Sequence, residues 1–218
     1  MLDWFQVLFE CAEIVGTVAF AASGAMIAVE RELDMFGVIF LGIFAAVGGG
    51  IMRDLMLGIT PPSAFRDSTY VAVAVAAALV VFLFAWLNQG QYRKRYALMD
   101  RTVNLLDAIG LGIFGVVGVE TAMGMGHQDN AFLCIFMGMT TGVGGGILRD
   151  LFSQTVPAVL KKRIYAVASI IGAATYYYLV RLQAGAPIAM LSGMLITVLI
   201  RLLATHYAWN LPRVKRPE

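Results

Sequence analysis

Seven long apolar stretches, separated by short polar connections, account for most of this 218-residue chain. They fall at roughly 4–29, 35–57, 69–88, 102–124, 131–153, 163–181 and 186–205. Each can supply the roughly 20 residues that an α-helix needs to cross about 30 Å of hydrocarbon. The first, second, fourth and fifth are rich in glycine, and the third is almost entirely Ala, Val, Leu and Phe. The pattern predicts an all-α polytopic membrane protein: one transmembrane domain over residues 1–211 with no soluble domain attached, then a short basic tail at 212–218.

A motif recurs inside this apolar sequence. Gly48-Gly49-Gly50-Ile51-Met52-Arg53-Asp54-Leu55 returns as Gly144-Gly145-Gly146-Ile147-Leu148-Arg149-Asp150-Leu151, 96 residues later. Three spans separate the copies, and an odd number of spans places them in opposite orientations across a membrane. The likeness extends beyond the motif. Gly16, Phe20 and Gly24 answer to Gly110, Phe114 and Gly118; Gly42 answers to Gly138, Pro61 to Pro157, and Tyr70-Val71-Ala72-Val73 to Tyr165-Ala166-Val167-Ala168. The drift in spacing fits a two-residue insertion near Met125–Asn130. Repeat one therefore covers about 4–88 and repeat two about 102–181, with the helix at about 186–205 as an addition.

Composition agrees with the membrane class. Hydrophobic residues make up 60% of the chain and charged residues only 14%, where a soluble domain carries about 25% charge. The charges also orient the bundle. Arg31, then Arg93, Lys94, Arg95 and Arg101, then Lys161, Lys162 and Arg163, and finally Arg213, Lys215 and Arg216 fall on one side, against Arg66 and Arg181 on the other. The positive-inside rule then sets the amino terminus outside and the carboxyl terminus in the cytoplasm. A net charge of +2 gives no argument for nucleic acid. Cys11 and Cys134 read as packing residues, with no spacing for a disulfide framework or a metal cluster. The first stretch carries Asp3, Glu10 and Glu13 without a basic leader, and so reads as a first span rather than a cleavable signal.

Three consecutive glycines in mid-span cost an isolated helix about 1 kcal/mol each relative to alanine. Either Gly48–Gly50 and Gly144–Gly146 bend or unwind their helices beside a polar pathway, or they permit close helix packing, or both. Arg53-Asp54 and Arg149-Asp150 follow within a turn. They read either as interfacial anchors or as groups shaping a pathway and its field. Neighbouring residues on a helix point about 100° apart, so a bridge within each pair is not assured. Asp107, Glu120, Glu10 and Glu13 are further acidic groups within spans, and Ser23, Thr17, Thr140, Thr141 and Thr175 are polar positions that commonly bond back to a helix carbonyl. His127 and His206 make no metal or proton relay. Tyr176-Tyr177-Tyr178, Trp86 and Trp209 fit interfacial anchoring. No zinc spacing, nucleophile elbow or phosphate loop is present, so no enzyme, metal or cofactor is expected.

With these repeated segments in seven spans, the chain resembles the prokaryotic trimeric intracellular cation channels, a group also described as glycine-transporter-like bacterial membrane proteins. The resemblance implies two inverted three-helix bundles plus a seventh helix. It also implies a symmetric homotrimer in a bacterial or archaeal plasma membrane, each protomer holding its own hourglass-shaped pore. The pore would be lined by helices two and five, kinked at their glycines, with Gly48, Gly49, Gly50, Arg53 and Asp54 in one half-motif and Gly144, Gly145, Gly146, Arg149 and Asp150 in the other. It implies passive conduction of K⁺ and Na⁺ within membrane lipid, with nothing resembling a carbonyl selectivity filter. Animal members carry a basic lipid-associated motif in the second helix; no comparable lysine lies near Phe44–Val47 here. The alternative is a secondary transporter of glycine or a similar small zwitterion by alternating access, and a purely structural membrane protein is a third reading.

Overall fold

The fold, obtained as a computed structural model, describes residues 4–88, 96–161 and 164–209. These residues form an all-helical bundle. Its elements are α1 (Trp4–Glu30), α2 (Met35–Met56), α3 (Ser63–Arg66), α4 (Thr69–Leu87), α5 (Tyr96–Ala122), α6 (Ala131–Phe152), α7 (Ala158–Lys161), α8 (Ala166–Arg181) and α9 (Ala186–His206). The basic clusters at 93–95, 162–163 and 213–216 and the tail at 212–218 lie outside the described residues.

Among the described residues, six helices are long and apolar enough to cross a membrane: α1, α2, α4, the segment Met99–His127, α6 and α9. The chain is thus a multi-pass membrane protein. The span expected at 163–181 appears as α8, whose 16 residues rise only about 24 Å, short of the hydrocarbon thickness. The insertion expected near Met125–Asn130 falls on a π-helical turn at Met123–His127, where Gly126 sits at φ 88°.

Local signals at the two halves match. Asp34 caps α2 by accepting from the Gly37 amide at 2.8 Å, and Asn130, 96 residues on, caps α6 by accepting from Leu133 at 3.0 Å. Each cap satisfies one of the amides that a helix start leaves without an internal partner. At the other ends, Gly58 (φ 73°) and Gln154 (φ 57°) take the left-handed turn that stops each helix.

The interior contacts come in pairs. A methyl group at Gly49 would fall on the Thr141 carbonyl, and one at Gly145 on the Ala45 carbonyl. Gly110 lies under the Phe20 ring and Gly16 against Phe114, while the two rings stack with centroids 5.5 Å apart. Gly42 meets Ala78 and Gly138 meets Ala173, each at 2.9 Å from an added Cβ. Each of these contacts in one half is answered by its equivalent in the other half. The glycines of α2 and α6 therefore bring two backbones to van der Waals distance. Of the readings left open by the sequence, local unwinding is not seen: α2 and α6 run as uninterrupted helices through Gly48–Gly50 and Gly144–Gly146. An intact ladder through the triplets satisfies their own backbone groups, which is the lower-energy solution in lipid.

Candidate functional site

Two constellations of buried charge sit at the C-terminal ends of α2 and α6. In the first, Arg53 folds back on its neighbour: its Nε donates to Asp54 Oδ1 at 2.8 Å, and its Nη2 lies 2.6 Å from the same oxygen. Asp54 Oδ2 accepts from the Ser63 amide at 2.7 Å, tying the helix end to the first residue of α3. The second repeats this. Arg149 Nε donates to Asp150 Oδ1 at 3.0 Å, and Asp150 Oδ2 accepts from the Ala158 amide at 2.7 Å, at the start of α7. The intrahelical bridge left open by the sequence is therefore present in both copies. The guanidinium is long enough to reach around the helix surface, and the carboxylate joins two elements.

The loops correct one equivalence. Pro62 precedes Ser63 as Pro157 precedes Ala158, so Pro62, not Pro61, is the structural counterpart of Pro157. One extra residue in the first loop explains why the spacing falls from 96 to 95 beyond it.

All four charged side chains are buried. A buried charge without a partner costs several kcal/mol, so each arginine needs its aspartate. These residues are interior parts of the bundle rather than interfacial anchors.

Beyond this shared frame the halves differ. Glu13, on α1, forms no ion pair with Arg53 and instead accepts from the Tyr70 hydroxyl at 2.6 Å. Its counterpart at a spacing of 94 is Asp107, on α5, which is bound by Arg149 Nη1. The same Nη1 donates to Ser23 Oγ at 2.7 Å. Arg149 thus links α1, α5 and α6, whereas Arg53 stays within its own half.

Space follows the bonding. A recess of about 490 Å³ lined by Gln6, Glu10, Glu13, Asp67 and Tyr70 leads inward. Glu13 and Tyr70 also line an inner cavity of about 80 Å³ that reaches Thr17, Gly50, Arg53, Asp54 and Thr141. Around Gly146, the counterpart of Gly50, the Tyr165 hydroxyl would lie 2.9 Å from an added Cβ; no tyrosine atom comes within 4 Å of the equivalent point at Gly50. Glu13 and Ser23 are ten residues apart on one helix, a rise of about 15 Å. The constellations therefore lie at different depths, with the Phe20–Phe114 stack between them.

Other expected groups take ordinary places. Thr17, Thr141 and Thr175 bond back to the carbonyls of Glu13, Met137 and Ile171. Tyr176 and Tyr177 are not interfacial anchors: both are buried, their hydroxyls donating to Glu120 at 2.6 Å and to the Gln128 carbonyl at 2.9 Å. Tyr178, Trp86 and Trp209 are exposed. Arg201 on α9 was not singled out by the sequence. It is buried, stands 4.5 Å from the Tyr165 ring centroid, and reaches Asn104 Oδ1 at 3.4 Å. An arginine inside an apolar span was the available signal.

A family model described as glycine transporter matches residues 10–86 and again 104–181. The UPF0126 membrane protein of Deinococcus radiodurans is 36% identical over 214 residues, covering 94% of this chain and 92% of that protein. The UPF0126 inner membrane protein YadS of Escherichia coli is 36% identical over 203 residues, covering 92% and 93%. Among solved structures, the trimeric intracellular cation channel orthologue from Rhodobacter sphaeroides superposes with a TM-score of 0.83 at 33% identity, over 93% of this chain and all of that one. A structure described as giving the basis for conductance through TRIC cation channels superposes at 0.82 with 34% identity, over 96% and 98%.

Proposed function

The chain belongs to the trimeric intracellular cation channel family of prokaryotic membrane proteins, and from that premise we propose that it conducts K⁺ and Na⁺ passively through a pathway inside each protomer of a homotrimer. The observation that carries this reading is the cavity that runs from Glu13 and Tyr70 to Gly50, Arg53 and Asp54. It ends against the close contact of α2 with α6, and beyond that contact Arg149 ties Asp107 to Ser23.

In this reading α2 and α6 line the pathway, with Gly50 facing its open cavity and the space at Gly146 taken up by the Tyr165 hydroxyl. Arg53 and Arg149 are neutralised by their aspartates and so do not repel cations. The Arg149–Asp107–Ser23 linkage closes the second half, and the conformation is a shut one. Paired contacts between equivalent residues support two inverted three-helix repeats, with α8 as the sixth span and α9 as the seventh. The amino terminus then lies outside and the carboxyl terminus in the cytoplasm of a bacterial or archaeal plasma membrane.

The glycine-transporter description of the matching family model favours a second reading, alternating-access transport of glycine or a similar zwitterion. Purified protein in K⁺-loaded vesicles separates the two. A channel gives K⁺ efflux that continues until the membrane potential balances it and does not saturate with glycine. A transporter gives saturable glycine counterflow and no standing K⁺ conductance.

A further inference from the structure

The hydroxyl groups around the first-half cavity have already spent their protons. Thr17 donates to the Glu13 carbonyl at 2.8 Å, and Thr141 donates to the Met137 carbonyl at 2.6 Å. Tyr70 donates to Glu13 Oε2 at 2.6 Å. Thr17, Thr141, Tyr70 and Glu13 all line the cavity, and what these side chains have left to offer is lone pairs. Charge points the same way. Among the described residues, Arg53 is the one cation lining the cavity. Its Nε and Nη2 are both engaged by Asp54, whose second oxygen is held by the Ser63 amide. The Glu13 carboxylate has its bond from Tyr70 and, among the described residues, no ion pair.

The second half uses the same positions with different chemistry. Thr17 answers to Leu111 at a spacing of 94, and Thr141 to Ala45 at a spacing of 96, so both hydroxyls give way to apolar groups. Asp107, the counterpart of Glu13, is ion-paired with Arg149. Arg201, over the Tyr165 ring, brings that half to two arginines against Asp107 and Asp150. The first half sets Arg53 against both Glu13 and Asp54. Free lone pairs and an unbalanced negative charge therefore coincide in one half only, and they do so around a cavity.

We propose that this cavity is a binding site for one monovalent alkali cation, held by the Glu13 carboxylate and the hydroxyl oxygens of Thr17, Thr141 and Tyr70. As a station on an ion's path the site rests on the channel reading given above; as a binding site it is tested without current. Its single unbalanced charge suits a monovalent ion. A divalent ion takes about six to eight oxygens, several of them from carboxylates, and among the described residues no three acidic, His or Cys side chains form such a group. The volume of about 80 Å³ lets the ion keep several waters, each needing about 10–15 Å³. The exposed Glu10 and Asp67 stand in the recess that leads to it. An ion held by one carboxylate and neutral oxygens stays exchangeable, as conduction requires.

The test is the thermal midpoint of the purified full chain, titrated with KCl or NaCl against choline chloride at constant ionic strength. In the parent the midpoint rises with the alkali cation and saturates, as for any ligand that binds the folded state. Glu13→Gln keeps a group for Tyr70 to bond and removes the charge, so the concentration giving half the shift rises roughly tenfold or more. Thr17→Val removes one oxygen at nearly constant volume and raises it roughly threefold to tenfold. Glu120→Gln makes the same change in the Glu120–Tyr176 pair, also 2.6 Å long and away from the cavity lining, and follows the parent. A midpoint that follows ionic strength alone, equal in choline and in K⁺ or Na⁺, overturns the site. A parent-like response in Thr17→Val overturns it too, and that result stands even where Glu13→Gln fails to assemble. Equal loss in Glu120→Gln makes the effect one of general charge and likewise overturns it. Cation currents without selective binding would remove the site and leave the channel reading. Selective binding lost in Glu13→Gln, in a parent that carries no cation current, would keep the site and remove the channel reading.

Discussion

At the scale of single residues, the glycines of one triplet do different work. Gly49 and Gly145 each lie on a backbone carbonyl of the facing helix, which cannot move aside as a side chain can. Gly50 faces the cavity, with only an Arg53 nitrogen at 3.8 Å from an added Cβ. Gly49→Ala and Gly145→Ala are therefore expected to destabilise the protein by about 3 kcal/mol or more, seen as a lower thermal midpoint in detergent. Gly50→Ala should fold with stability within about 1 kcal/mol of the parent and narrow the pathway, lowering unitary current. Equal loss of stability at positions 49 and 50 would contradict this division. The aspartates follow the logic of buried pairs. Asp150→Ala leaves Arg149 with Asp107 and Ser23 and frees the Ala158 amide, an expected cost of about 1.5–3 kcal/mol. The repeated triplet and charge pair were visible in the sequence. Which glycine meets a carbonyl and which meets a cavity was not, because it depends on the crossing of two helices 96 residues apart.

At the scale of elements, the carboxylates act as joints. Each accepts both from the arginine of its own helix and from the first amide of the following short helix, so α3 and α7 are fixed to the ends of α2 and α6. Ser63→Pro isolates that joint. Proline is tolerated at a first helical position but has no amide to give Asp54. A loss of about 1.5–3 kcal/mol is expected, the range for a hydrogen bond to a charged group, while helix content by circular dichroism stays the same. The apolar pattern made the long helices legible with boundaries close to those observed, and the caps Asp34 and Asn130 emerged only with the structure. The short α3 and α7 were not, being single turns held by tertiary bonds rather than by any periodicity of their own. The sixth span was expected longer than α8 is, because the apolar Ile164 and Tyr165 precede the helix rather than belong to it. The sequence left unwinding and close packing at the glycines both open; the helices stay continuous because packing of α2 on α6 supplies the stabilisation that glycine removes.

At the scale of the whole molecule, one fold contains two related halves with unequal bonding, an accessible one around Glu13 and Tyr70 and a tied one around Arg149. The sequence showed the duplication and paired Gly16 and Phe20 with Gly110 and Phe114, and the structure showed that these residues stack against one another. It could not show the asymmetry. Asp107 and Glu13 are both acids, and only their partners distinguish them. Ser23 looked like one more helical hydroxyl, although it accepts from Arg149 across 126 residues of sequence. The most direct test of the account is planar-bilayer recording in asymmetric KCl from correctly assembled protein, comparing the parent with Asp107→Asn, which weakens the Arg149 tie without removing a hydrogen-bonding group. The account predicts discrete steps reversing toward the K⁺ equilibrium potential, infrequent in the parent and more frequent in Asp107→Asn. Silent bilayers from both proteins, or currents reversing toward the Cl⁻ potential, would contradict it.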